Sequence, residues 1–268
     1  MNRLALMTLC GVLLACNSMT SGNAADIASA LAGAHRSPES RARDVHRHPA
    51  ETLAFFGFKP DLTVVEILPG GGWYTEILAP ALREQGKYIA ATYGPTAERE
   101  YQQRSYHALV KRFEAAPELY GKPEIVLFDP PATLELGAPG SVDQVLTFRN
   151  THNWIRAGVA EQVFAAFHRA LKPGGTLGVV QHRAPAGVDP IESAKRGYVA
   201  QDYIIELVEA AGFELVASSE INANPKDTKD HPDGVWNLPP VFMKKDENRA
   251  HYAAIGESDR MTLRFVKR

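Results

Sequence analysis

The chain has 268 residues, an apolar share of 45% and a formal net charge of −2, with 29 Lys and Arg against 31 Asp and Glu. Those values are ordinary for one globular α/β domain, long enough to bury a core that needs no staples. No basic stripe stands out, so nucleic acid is not an expected partner. The two cysteines, Cys10 and Cys16, both lie near the start. The rest of the chain therefore offers no disulfide framework, no thiolate metal site and no cysteine nucleophile.

Arg3 followed by the apolar run of residues 4–15 has the pattern of a secretory signal, too short to span a bilayer as a mature helix. It closes on Leu13-Leu14-Ala15-Cys16, which resembles the lipobox of bacterial lipoproteins. That resemblance implies removal of residues 1–15, a lipid on Cys16 as the only attachment to a membrane, and a periplasmic location. The alternative is an ordinary signal cut near Ala24 or Ala25. Residues 16–24 read as a small polar tether, and residues 25–268 as the domain itself.

Residues 25–58 read as helical. Within them the Arg- and His-dense run from residue 41 to 48 could fold over a crevice as a cover, and Pro49 opens a helix that Gly57 stops. Next comes Val64-Val65-Glu66-Ile67-Leu68-Pro69-Gly70-Gly71-Gly72, a short β-branched strand run into a glycine turn. Tyr74, Ile77, Leu78, Ala81 and Leu82 then recur at helical spacing. Such a strand-turn-helix aims a helix N-terminus at whatever binds over the glycines. Further strands are expected at residues 86–92, 124–128, 142–148, 176–181, 213–217 and 261–266. The helices between them are expected near residues 97–116, 159–171 and 202–211, with Asp202 as a cap. Alternating strands and helices imply a mostly parallel sheet covered on both faces. Residues 221–260 are long for a connection and read as an insertion, either a lid over the ligand edge or a packed hairpin.

The order of motifs resembles the class I S-adenosylmethionine-dependent methyltransferase family over about residues 63–268, and more narrowly a group of predicted bacterial methyltransferases without an established substrate. Glu66-Ile67-Leu68-Pro69-Gly70-Gly71-Gly72 is similar to the family's acidic residue and glycine loop. Val142 to Phe148 with Asn150 and His152 resembles its fourth strand and active-site edge. Leu171-Lys172-Pro173-Gly174-Gly175 and Ala210-Ala211-Gly212-Phe213 resemble its later signatures. The resemblance implies a doubly wound, seven-stranded, mostly parallel Rossmann-like sheet with an antiparallel last strand. It also implies S-adenosylmethionine as cofactor and methyl transfer to a small molecule. The chain departs from the family where Leu68 stands for a glycine and where Thr92 and Tyr93 replace the ribose-binding acid. A dinucleotide dehydrogenase fits less well, because Thr75 occupies the place of its third glycine.

Cofactor contacts are expected at Glu66, Gly70, Gly71, Gly72, Asp129 and Asn150. Glu66 could instead brace the loop, and Asp129 could simply open an Asp-Pro turn. His152 and His182 are the candidate catalytic bases, each with a structural role as the alternative. Arg183 is a candidate anion clamp, and Tyr198 a candidate pocket wall. No spacing such as H-E-x-x-H points to a metal. The reading from a different class is a non-catalytic exported protein that binds a ligand on the same fold.

Overall fold

The structure, a computed structural model, describes residues 21–268. The signal and lipobox expectations therefore lie outside the described residues, as does most of the tether. Eight strands form one sheet: β1 (Thr63–Ile67), β2 (Lys87–Thr92), β3 (Glu124–Asp129), β4 (Thr133–Leu134), β5 (Val142–Phe148), β6 (Leu171–His182), β7 (Phe213–Ser219) and β8 (Arg260–Lys267). Their order across the sheet is β4-β3-β2-β1-β5-β6-β8-β7. The sequence implied seven strands; the eighth is β4, a two-residue edge pairing antiparallel to β3 just after the Asp129-Pro130-Pro131 turn. The strands from β3 to β6 pair in parallel, and β8 runs antiparallel between β6 and β7.

Strand alternation divides the core between the two faces. Val65 and Ile67 of β1 join Phe164 and Phe167 of the helix Ala160–Ala170 on one side, while Val64 joins Ile77 and Leu78 of the helix Thr75–Leu82 on the other. Each large apolar side chain buried in this way contributes roughly 1.5–3 kcal/mol. The N-terminal helices, of which Pro49–Phe55 supplies Leu53, pack on the second face together with Phe56. That close packing needs Gly178 in β6, where an added Cβ would stand 2.7 Å from Leu146 and 2.8 Å from Phe56.

Three local differences from the sequence reading have physical causes. Lys172 to Gly175 lie inside β6: the β5–β6 register jumps from Val142↔Leu171 to Gln144↔Thr176, and Gly174 at φ 75° carries the excursion. Ala200 rather than Asp202 takes the cap position of the helix Gln201–Ala210, leaving Asp202 in its first turn, where its charge meets the helix dipole. Residues 221–260 form a packed segment carrying the 3-10 turn Gly234–Asn237 and the helix Arg249–Ile255. Among the described residues, no helix is long and apolar enough to cross a membrane.

Candidate functional site

The strand order reverses between β1 and β5, so their connections leave in opposite directions and open a crevice at the carboxyl ends of the strands. A cavity of about 410 Å³ occupies that position. Its floor is the β1 edge with the glycine turn and the β5 edge with Phe148, Arg149 and Asn150. Its roof comes from elsewhere: Ser40, Arg43 and Arg47 from the N-terminal helices, and Trp236 and Glu257 from the long insertion.

The loop after β1 carries its own strain. Leu68 stands at φ 47°, the left-handed region that favours glycine, at the position where the sequence reading noted Leu in place of a glycine. The Leu68 amide donates to the Ala91 carbonyl at 2.8 Å, and the side chain packs on the core, which offsets that strain. Gly70 and Gly71 have nothing within 4 Å of where a Cβ would stand, so a ligand can approach their backbone. Asn150 holds the same loop from β5, donating through Nδ2 to the Ile67 carbonyl at 2.9 Å.

Glu66 is buried on the glycine side, where its Oε2 accepts from Thr75 at 2.8 Å and from Tyr88 at 2.6 Å. Burial pushes its carboxyl up to about 7 against the pull of those hydroxyls and of Arg112. His152 is also buried, and its Nδ1 lies 3.3 Å from Gln181 Nε2. That amide nitrogen also donates to the Gly197 carbonyl at 2.9 Å, which fixes the amide orientation. Nδ1 is therefore the acceptor, and the ring proton sits on Nε2. Burial lowers His152 to about 4. His182, whose ring centre is 5.8 Å from that of His152, bonds through Nδ1 to Ser258 Oγ. Burial, then His152, Arg149 and Arg260, push its basicity well below the usual range. Both imidazoles are neutral at pH 7.

Of the residues singled out from sequence, Glu66, Gly70, Gly71, Asn150, His152 and His182 all line this cavity. Gly72 and Asp129 do not. Gly72 faces the Arg112 guanidinium, 3.2 Å from its Cβ position, and Asp129 ends β3 two strands away from β1. Arg183 is turned away and bound by Asp259 at 2.9 Å and Glu220 at 2.6 Å, so it is no anion clamp. Tyr198 does not wall the cavity, because its hydroxyl donates to the buried Asp227 at 2.9 Å.

Other arginines, not singled out in the sequence reading, gather at the cavity around Glu257. Glu257 sits between Arg43 at 2.7 Å, Arg47 at 3.0 Å and Arg260 at 2.9 Å. Burial alone would raise the Glu257 carboxyl, but Arg260, Arg47, Arg43 and Arg149 hold it at about 2. Arg47 also lies 4.6 Å from the centre of the Trp73 ring. The dense basic run around residue 43 was a visible signal, but nothing local pointed to Arg149 or Arg260.

The architecture is a doubly wound α/β sheet with a ligand-sized cavity at its switch point. No protein-family model matches the sequence, and no curated protein matches it. Solved structures do. The chain is similar to an S-adenosylmethionine-dependent methyltransferase from Aquifex aeolicus, at 17% identity and a TM-score of 0.53, covering 75% of this chain and 93% of that one. It is similar to the cyclase SpnF at 15% identity and a TM-score of 0.56, covering 88% of this chain and 84% of SpnF. A complex of the methyltransferase CalH with S-adenosylhomocysteine matches at 14% identity and a TM-score of 0.52, covering 86% of this chain and 59% of CalH. The chain has the class I methyltransferase fold. Because one of these neighbours is named a cyclase, the fold by itself does not fix the reaction.

Proposed function

We propose that this protein is an S-adenosylmethionine-dependent methyltransferase acting on a small molecule. The observation that carries the reading is the cavity itself, which brings the exposed backbone of Gly70 and Gly71, Glu66, Asn150 and two neutral histidines to one crevice. When bound, the cofactor supplies a sulfonium methyl to an acceptor heteroatom, whose proton must then leave. The open glycine backbone and the first turn of the helix Thr75–Leu82 suit its amino-acid end, with Glu66 facing the amine. Asp129 would receive the adenine from outside the cavity. Asn150 keeps the loop in place, and Trp236 and Trp73 narrow the roof against water.

His152 already commits Nδ1 to Gln181, so it serves as an N–H donor that orients the acceptor. His182 is the better proton acceptor once Nδ1–H donates to Ser258, which leaves Nε2 with a lone pair. Most of the rate gain would come from positioning, with modest base assistance. Methyl transfer measured in His152→Ala and His182→Ala tests these roles; unchanged turnover in both removes them from catalysis.

The second reading is a non-catalytic ligand-binding protein. It is favoured by Thr92 and Tyr93 in place of a ribose-binding acid and by Asp129 lying outside the cavity. Calorimetry with S-adenosylmethionine separates the two, since absence of heat at high concentrations of both partners removes the enzyme. Mass spectrometry of any ligand retained through purification names the alternative. The same proposal places the protein in the periplasm on a lipid at Cys16. A mature chain that begins near Ala25, or that carries no lipid, would end that part.

A further inference from the structure

Three guanidinium groups, from Arg43, Arg47 and Arg260, share the single carboxylate of Glu257, and Arg149 lines the central cavity together with Arg43 and Arg47. The remaining carboxylates nearby are spent elsewhere: Asp44 on Arg36, Glu76 on Arg36 and Arg112, and Asp259 on Arg183 and Lys229. Arg47 is 1% exposed, and after its Nε meets Glu257 both of its terminal nitrogens are buried with no hydrogen-bond partner. One terminal nitrogen of Arg43 is in the same condition. Among the described residues Arg149 has no carboxylate partner, and its backbone is held at φ 66°, a conformation L-residues rarely adopt. Buried donors without acceptors and buried charge without countercharge are both strongly unfavourable, and strained backbone clusters at sites of function.

The arrangement is braced by its neighbours. The Arg47 carbonyl accepts from Thr52 at 3.1 Å, its guanidinium lies against Trp73, and Trp73 donates to the Ser40 carbonyl at 2.9 Å. Burial and the neighbouring Arg149 pull Arg47 well below its usual value, yet a guanidinium does not give up its proton in a protein. An anion meets that demand.

We propose that Arg47 and Arg149, assisted by Arg43, bind an anionic group, a phosphate or a carboxylate, carried by the acceptor. Arginine forks match the planar or tetrahedral oxygens of such groups and bind them with paired hydrogen bonds. Assigning the anion to the acceptor rests on the methyl-transfer reading, whereas the anion site does not. The assignment follows from position. Ser258, which bonds His182, follows the Glu257 that holds Arg43, Arg47 and Arg260, and Arg260 stands opposite His182 in the β6–β8 register, so the cluster lies on the histidine side of the cavity, where the acceptor would react.

Inorganic phosphate is the probe, titrated against full-length protein by isothermal calorimetry with ionic strength held constant by sodium chloride. The expected result is a saturable binding isotherm whose midpoint shifts at least tenfold to higher phosphate in Arg149→Met and in Arg47→Met. Arg149→Met breaks no ion pair, so it reports even if Arg47→Met fails to fold. An unsaturable response, or an Arg149→Met midpoint equal to wild type, overturns the site. Saturating S-adenosylhomocysteine should leave the phosphate midpoint unchanged. If it abolishes phosphate binding while 5′-methylthioadenosine, which lacks the carboxylate, does not, the cofactor's own carboxylate fills the site and the acceptor assignment falls. If phosphate binds and S-adenosylhomocysteine does not, the methyl-transfer reading falls and the anion site stands.

Discussion

The carboxyl edge of the sheet has two unlike halves. Over β1, β5 and β6 it is roofed by the N-terminal helices and the insertion, and its polar groups are buried and crowded with positive charge. Over β2 and β3 it lies outside that roof and is more open: Thr92 is buried, but Tyr93 and Asp129 are half-buried and Leu127 beside them is 47% exposed. In the enclosed half, chemistry and charge selection can proceed with little water to screen them. In the open half a ligand portion can be held by only a few contacts. The methyl-transfer reading thus puts the acceptor in the specific half and the adenosine in the permissive one.

The largest test of that contrast is Glu257→Gln. It leaves the guanidiniums of Arg43, Arg47 and Arg260 without their carboxylate. Removing one partner from a buried ionic cluster costs on the order of 3–5 kcal/mol, to be read as a fall in urea midpoint. Added phosphate should recover part of that loss; a loss below about 1 kcal/mol would mean the cluster is wetter than its burial indicates.

Acid titration tests the histidine side. His152 is lowered to about 4 by burial, so between about pH 6.5 and 4 the unfolded chain binds a proton that the folded chain refuses. Stability therefore falls as pH drops through that window and is unaffected by this group above it. His152→Gln should recover about 2–3 kcal/mol at pH 4.5 relative to pH 7.5, measured by urea unfolding at both. An identical pH slope in the variant would falsify the buried neutral assignment.

Glu66 has the opposite sign. Its folded value, raised to about 7, lies above that of an ordinary carboxyl, so the associated stability is present at low pH and is lost as pH rises through 7. Glu66→Gln keeps an oxygen for Tyr88 and Thr75 and should stabilise by roughly 1–3 kcal/mol at pH 8, with little change at pH 5. The smallest effect is expected in the open half. Asp129→Ala should change stability by less than about 0.5 kcal/mol while weakening S-adenosylhomocysteine about tenfold in calorimetry. Unchanged affinity would remove Asp129 from the adenosine contact.

Much of the frame was legible locally. The β-branched run at Val64, the glycine turn, the apolar spacing from Tyr74 to Leu82 and the face formed by Val163, Phe164 and Phe167 each depend on neighbours within a few residues. Glu66, Gly70, Gly71, Asn150, His152 and His182 could be placed at one edge because they lie at or just beyond the carboxyl ends of their strands, and those ends share an edge in a parallel sheet. Arg183 and Tyr198 could not be judged this way. Their partners, Asp259 and Asp227, lie 76 and 29 residues further along.

The sequence by itself thus determined the seven longer strands, the main helices between them and the glycine loop with its Leu68, because those are set by periodicity and backbone preference. Only the tertiary structure decided the character of the site. The pair Arg43 and Arg47, the strand-end Arg149 and the pair Glu257 and Arg260 come from three distant parts of the chain, and their meeting depends on how the N-terminal helices and the insertion fold over the edge. Burial of Arg47 and Arg260, with Arg43 and Arg149 half-buried, then leaves an unbalanced charge, because desolvation acts on where a group ends up and not on what precedes it in the chain.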